Sequence, residues 1–200
     1  MARLGMVIDL KRCIGCYSCV VACKAENGTP PGVFWGRVLE KEEGKFPATK
    51  RTFLPVLCNH CQEPACLRVC PTGATSQRAD GIVLVDYKKC IGCRACMAAC
   101  PYQTRYYLNS IKPYYPLGFT AFEERKYKKF QRGVVTKCTL CAERVDRGLE
   151  PACVQTCITG ARVFGDLADP ASQASRLLRE RYAFRLLPEA GTEPSVYYLA

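Results

Sequence analysis

Sixteen cysteines in a chain of 200 residues fall into four sets, with none left over. Cys13, Cys16, Cys19 and Cys23 are spaced CxxCxxCxxxC, and Cys58, Cys61, Cys66 and Cys70 are spaced CxxCx4CxxxC. Cys90, Cys93, Cys96 and Cys100 repeat the first spacing and are followed by Pro101. Cys138, Cys141, Cys153 and Cys157 are spaced CxxCx11CxxxC. Three cysteines within seven residues let the backbone curl around a polynuclear metal centre, with backbone N–H groups turned toward the sulfurs. Such runs are ligand patterns of [4Fe–4S] clusters, so four clusters and single-electron chemistry are expected. Gly15 and Gly92 lie inside the curl, where a side chain would crowd the metal centre. The fourth cysteine, four residues on, is expected to open a helix and face away.

The sets are themselves repeated, in the order A, B, A′, B′. Ile8-Asp9-Leu10-Lys11-Arg12-Cys13-Ile14-Gly15-Cys16 aligns with Val85-Asp86-Tyr87-Lys88-Lys89-Cys90-Ile91-Gly92-Cys93. Glu63-Pro64-Ala65-Cys66 returns as Glu150-Pro151-Ala152-Cys153, and Thr72-Gly73-Ala74 returns as Thr159-Gly160-Ala161. Other cysteine chemistries fit less well. Disulfides between CxxC neighbours would be strained. Zinc takes two separated pairs per site, a layout only the last set has, and that set is a repeat of the second. A Rieske centre needs two histidines on one iron. His60 is the only histidine, and between Cys58 and Cys61 it is expected to donate a hydrogen bond or to pack.

The elements that must hold these sets are short. Met6 to Leu10 and Gly81 to Asp86 read as β-strands leading into cysteine runs. Helices are expected to start at Val20–Ala25 and Met97–Ala99, and another at Ser172–Tyr182. Asn27-Gly28, Pro30-Pro31-Gly32 and Asp80-Gly81 are turn signals. The fold class is therefore α+β, with metal centres serving as the core that so few residues cannot supply. No apolar run approaches the roughly 18 residues of a membrane span. The N-terminus reads as a strand, without a signal peptide's apolar region. The formal charge of +11 counts every cysteine as neutral. With thiolates and cluster iron included it falls to about +3. The basic excess thus offsets buried centres and does not call for nucleic acid, for which neither a stacking platform nor a recognition helix is evident.

Only nineteen residues separate Cys70 from Cys90. That gap resembles the compact link inside a bacterial two-cluster ferredoxin. The expected order is two nested bacterial-type ferredoxin domains. Residues 1–57 plus 133–165 form one, carrying the first and fourth sets. Residues 58–100 form the other, carrying the second and third. Residues 101–132 are an insertion that holds nine of the 20 aromatics, mixed with Arg105, Lys112, Arg125, Lys126, Lys128 and Lys129. It reads either as a loop covering the ferredoxin pair or as a docking surface. Residues 166–200 form a C-terminal tail without ligands.

Over residues 1–165 the chain closely resembles the iron–sulfur subunits of membrane-linked molybdopterin oxidoreductases, of the polysulfide, thiosulfate, arsenate, tetrathionate and dimethyl sulfoxide reductase type. The matching motifs are Met-Val-Ile-Asp-Leu before Cys13, Cys58-Asn59-His60-Cys61, Cys70-Pro71-Thr72-Gly73-Ala74, Glu150-Pro151-Ala152-Cys153 and Phe164-Gly165-Asp166-Leu167-Ala168-Asp169-Pro170. Some relatives carry Trp in the third set and a [3Fe–4S] cluster, whereas all four positions here are Cys. The resemblance and the ferredoxin crossover imply these ligands: Cys13, Cys16, Cys19 and Cys157 for the first cluster; Cys23, Cys138, Cys141 and Cys153 for the second; Cys58, Cys61, Cys66 and Cys100 for the third; Cys70, Cys90, Cys93 and Cys96 for the fourth. They also imply a non-catalytic subunit that passes electrons between a molybdenum or tungsten pterin subunit and a quinone-reactive membrane anchor. The first cluster would face the pterin subunit and the fourth the anchor, where Lys88, Lys89 and Arg94 flank it. Co-export with the catalytic subunit would put the assembly at the periplasmic face, and a cytoplasmic complex is the alternative. A free-standing polyferredoxin, a relay in a formate dehydrogenase or hydrogenase, and a zinc structural module are the competing functions.

Overall fold

Met6, Val7 and Ile8 are apolar in succession and wholly buried, as a strand covered on both faces requires. They belong to β1 (Leu4–Asp9), in a structure, a computed structural model, that describes residues 2–200. The first cysteine run leads into α1 (Ser18–Asn27), which Gly28 ends in a left-handed conformation. Next comes a long hairpin of β2 (Gly36–Lys45) and β3 (Ala48–Leu57), paired antiparallel along its whole length. Its root buries Val38, Val56 and Leu57, while Phe46 at its tip is 91% exposed. The sequence reading does not anticipate this hairpin, because its outer half is charged on both faces and lacks apolar alternation.

The middle of the chain is built from short pieces. These are α2 (Ala65–Arg68), β4 (Thr75–Gln77), β5 (Val83–Val85), α3 (Ala95–Ala98) and β6 (Arg105–Tyr107). There follow α4 (Ala121–Tyr127), β7 (Val135–Lys137), α5 (Ala142–Val145) and α6 (Ala152–Gln155). β4 pairs with β5, and β6 with β7, both antiparallel. Helices of four residues cannot stand alone in water. They persist here as the turns that carry Cys66, Cys96 and Cys153 inward. The fourth cysteine of a run does not open its helix. Cys23 lies inside α1, and Cys70, Cys100 and Cys157 follow α2, α3 and α6.

The C-terminal part of the chain returns to its first strand. After β8 (Arg162–Asp166) and α7 (Gln173–Glu180) come β9 (Ala183–Phe184) and β10 (Val196–Leu199). The four-stranded sheet runs β8-β1-β10-β9, with β1 antiparallel to β8 and parallel to β10. The ligand-free segment 166–200 is thus part of a sheet that also contains β1. It further reaches the second cysteine set, where the amides of Gln62 and Glu63 donate to the carbonyls of Glu193 and Thr192.

The 101–132 segment divides into an inner and an outer part. Tyr127 and Phe130 are buried, with Phe130 edge-on to Trp35 at 5.9 Å and stacked near Tyr87 at 6.4 Å. A capping box of Thr120 and Glu123 starts α4. Lys126 Nζ donates to the Glu26 carbonyl at 2.6 Å, fastening the segment over the end of α1. Tyr115, Leu117 and Phe122 stay exposed on the outer rim.

Candidate metal centres

The internal repeat extends to the backbone. Gly15 and Gly92 take φ +68° and +69°, and Tyr17 and Arg94, two residues later, take φ 58° and 61°. The two CxxCxxC loops therefore curl alike, and the first residue of α1 and of α3 follows that left-handed turn. Close packing explains the glycines. A Cβ on Gly92 would meet the Gly133 carbonyl oxygen at 2.0 Å, and one on Gly15 would meet the Phe53 ring at 2.2 Å. In the other repeat, Pro64 and Pro151 precede α2 and α6, and Gly73 and Gly160 take φ 63° and 58°.

The curls bring thiols together across the chain. Cys13, Cys16 and Cys19 line one recess with Cys157. Cys90, Cys93 and Cys96 line another with Cys70. Cys61 lies beside Cys58, Cys66 and Cys100; burial first, and then those neighbours, push its thiol up to about 12. Cys23 is likewise pushed up to about 12 by burial and by Cys153 and Cys141. Burial also drives the Cys138 thiol far above its ordinary range, with Cys23, Cys58 and Cys141 adding to the effect. All sixteen cysteines are free thiols, and none forms a disulfide.

These two recesses fit a polynuclear thiolate-bound centre, because the donor set is soft and four sulfurs line one space. Polar groups also point at the sulfurs. Amides of Thr75, Val135 and Leu140 donate to Cys70, Cys90 and Cys138 at 3.4, 3.5 and 3.4 Å. Asn27 Nδ2 donates to Cys23 at 3.6 Å and to Cys141 at 3.8 Å. Burial opposes ionisation of Cys70, but the Thr75 amide and Thr72 hydroxyl outweigh it and hold the thiol below its usual value. Burial favours the protonated thiol at Cys23, Cys61 and Cys138, so binding iron there would release protons.

The thiols differ in exposure. Cys16 and Cys93 are exposed, whereas Cys23, Cys58, Cys96, Cys138 and Cys141 are buried. Neighbouring groups of thiols adjoin, with Cys19 near Cys153 and Cys58 near Cys138.

His60 is wholly buried, and its Nδ1 accepts from the Val83 amide at 3.0 Å. It therefore accepts at that nitrogen, and its Nε2 has no protein partner. Burial, then Lys137 and Arg105, hold it well below the usual imidazole value, so the ring is neutral. Sequence reasoning missed the most unusual charges of the site. Lys88, Lys89 and Arg94 are exposed. The buried cations are instead Arg105, Lys137 and Arg162, 4%, 2% and 4% exposed. One signal was available: Arg105 and Arg162 both stand five residues past the last cysteine of a set, Cys100 and Cys157.

Comparison with known proteins points to the same iron–sulfur chemistry. Two families described as 4Fe–4S dicluster domains match, one over residues 49–113 and 123–167, the other over residues 12–74. The iron–sulfur subunit of an arsenate respiratory reductase from a Shewanella species is 41% identical, over 98% of this chain and 96% of its own length. One of the subunits of the tetrathionate reductase of Salmonella typhimurium is 44% identical, over 98% of this chain and 72% of its own. The iron–sulfur cluster-binding subunit of a menaquinone reductase from Nitratidesulfovibrio vulgaris is 40% identical, over 99% and 89%.

Proposed function

Because this chain belongs to the family of iron–sulfur electron-transfer subunits of molybdopterin oxidoreductases, we propose that it relays single electrons between a molybdenum or tungsten pterin subunit and a quinone-reactive membrane anchor. When bound, four [4Fe–4S] clusters supply the one-electron carriers. Cys13, Cys16, Cys19 and Cys157 hold the first. Cys23, Cys138, Cys141 and Cys153 hold the second. The third takes Cys58, Cys61, Cys66 and Cys100, and the fourth takes Cys70, Cys90, Cys93 and Cys96. The observation that carries this reading is the crossover at the two ends: each CxxCxxC triplet shares its recess with the last cysteine of a different set, Cys157 or Cys70.

The exposures support a file with two accessible ends. Cys16 and Cys93 reach the surface in the outer sites, and the buried thiols belong mainly to the inner ones. The protein's own groups supply amide and hydroxyl donors to the sulfurs and exclude water from the inner thiols. The named relatives include reductases of arsenate and tetrathionate and a menaquinone reductase, which supports a catalytic partner at one end and quinone at the other. The periplasmic face is part of the proposal, and protease accessibility of the subunit in spheroplasts tests it.

Metal analysis of anaerobically purified chain tests the central reading. About sixteen iron and equal sulfide per chain is the expected result. A few zinc and no sulfide would refute it. Co-purification of a pterin subunit and a multi-span partner tests the assembly.

A further inference from the structure

Arg105 and Lys137 are register partners in the β6–β7 pair, so two cations face each other across one short ladder. Both are buried. Like charges directly opposite are unfavourable in a sheet, and a buried charge without a counter-charge is more so. Among the described residues, no carboxylate answers them. Lys137 Nζ donates to the carbonyls of Val83 and Cys138, the latter at 2.7 Å. Arg105 Nη1 donates to Thr75 Oγ1 at 3.3 Å, and its Nη2 donates to Cys66 Sγ at 2.8 Å. With clusters bound, the anions that balance them would be the ligating thiolates.

Arg162 repeats the situation under the four-stranded sheet. Its Nη1 lies 3.5 Å from Met6 Sδ and 3.8 Å from Cys153 Sγ.

The placement is regular. Arg162 lines the recess of Cys13, Cys16, Cys19 and Cys157 and lies 3.8 Å from Cys153, so it touches the proposed first and second sites. Lys137 donates to the carbonyl of Cys138, of the second, and stands opposite Arg105, which donates to Cys66, of the third. Arg105 joins Cys66 to Thr75, whose amide donates to Cys70, of the fourth. We infer that Arg162, Lys137 and Arg105 form a file of buried cations, one at each junction between neighbouring cluster sites, that raises the reduction potentials of the sites on either side. The inference rests on the ligand sets proposed above. A filled site carries about −2 and one added electron makes it about −3, so a fixed cation at the junction stabilises the reduced form of both neighbours. It also screens the repulsion between adjacent sites in water-poor surroundings. These are positioning charges: they exchange no electron themselves.

The test is an EPR-monitored redox titration of the full chain, purified anaerobically with its clusters, as wild type and as Arg105→Gln, Arg105→Lys, Arg162→Gln and Arg162→Lys. Each Gln variant is expected to shift two centres to lower potential and leave the other two in place. Each Lys variant is expected to keep them near the wild-type values. Gln variants that hold about sixteen iron with unmoved potentials overturn the inference, as do Lys variants that shift as far as Gln. Should a Gln variant lose iron, a Lys variant that keeps it supports the role of charge, and one that loses it equally assigns the side chain to packing and overturns the role. A wild-type chain far below sixteen iron instead refutes the ligand sets, and the cation file with them.

Discussion

The Tyr198 hydroxyl donates to the Pro55 carbonyl at 2.9 Å. This bond joins the last strand, β10, to the root of the β2–β3 hairpin. Tyr198 is also the register partner of Ile8, and both side chains are fully buried. The segment without cluster ligands thereby clamps the strand that leads into the first cysteine run. Tyr198→Phe should cost about 1 kcal/mol by leaving the Pro55 carbonyl unanswered, and Tyr198→Ala about 3–5 kcal/mol through the cavity it opens. Anaerobic thermal unfolding of the loaded chain measures both, and equal small effects would remove the clamp from the account.

Gly92 faces backbone where Gly15 faces a side chain. A methyl group on Gly92 would strike the Gly133 carbonyl, whereas one on Gly15 would strike the Phe53 ring. Both positions have positive φ, so both substitutions strain the loop. Gly92→Ala should lose the centre of the Cys90 run, with iron falling from about sixteen toward about twelve per chain. Adding Phe53→Ala to Gly15→Ala should restore part of its iron, since a ring can be removed and a carbonyl cannot. Full loading of Gly92→Ala would contradict the packing argument.

Disrupting the site proposed to face the membrane anchor separates the two ends of the relay. Cys96 is buried beside Cys90 and Cys70. In an assembled complex, Cys96→Ser should abolish electron exchange with quinol. Activity with an artificial dye that reaches the pterin subunit directly should survive. Native quinol coupling in such a complex would take this site off the path.

Asp9 gives a pH signature. Burial raises its carboxyl, but the hydrogen bond and charge of Arg181, with the Lys11 amide at 3.0 Å, prevail and hold it below the ordinary carboxylate value. A depressed folded-state pKa stabilises fully above the unfolded value, and the contribution is lost as pH falls through the folded one. The difference in thermal midpoint between wild type and Asp9→Asn should therefore stay level from about pH 8 to about pH 5 and shrink below about 3.9. A difference that widened toward acid would mean that Asp9 does not act as the paired carboxylate.

The sequence by itself determined the kind of cofactor and the thiols available to hold it. Iron–sulfur ligation is written in local spacing, because three thiols within seven residues must curl around one centre and the glycines between them mark where the curl is tight. The duplication was legible in the same way, through Cys13-Ile14-Gly15-Cys16 and Cys90-Ile91-Gly92-Cys93. The strands near Met6 and Val83, the helix at Gln173–Glu180 and the α+β class were likewise readable from short patterns. Other features depended on contacts far apart in the chain. No local pattern announces that β10 will lie parallel to β1, or that a charged segment will fold into the β2–β3 hairpin. The same holds for charge: Lys88 and Arg105 look alike in sequence. Only the folded chain surrounds one with water and the other with thiols from two cysteine sets, because burial of a cation depends on distant anions that the residues beside it do not encode.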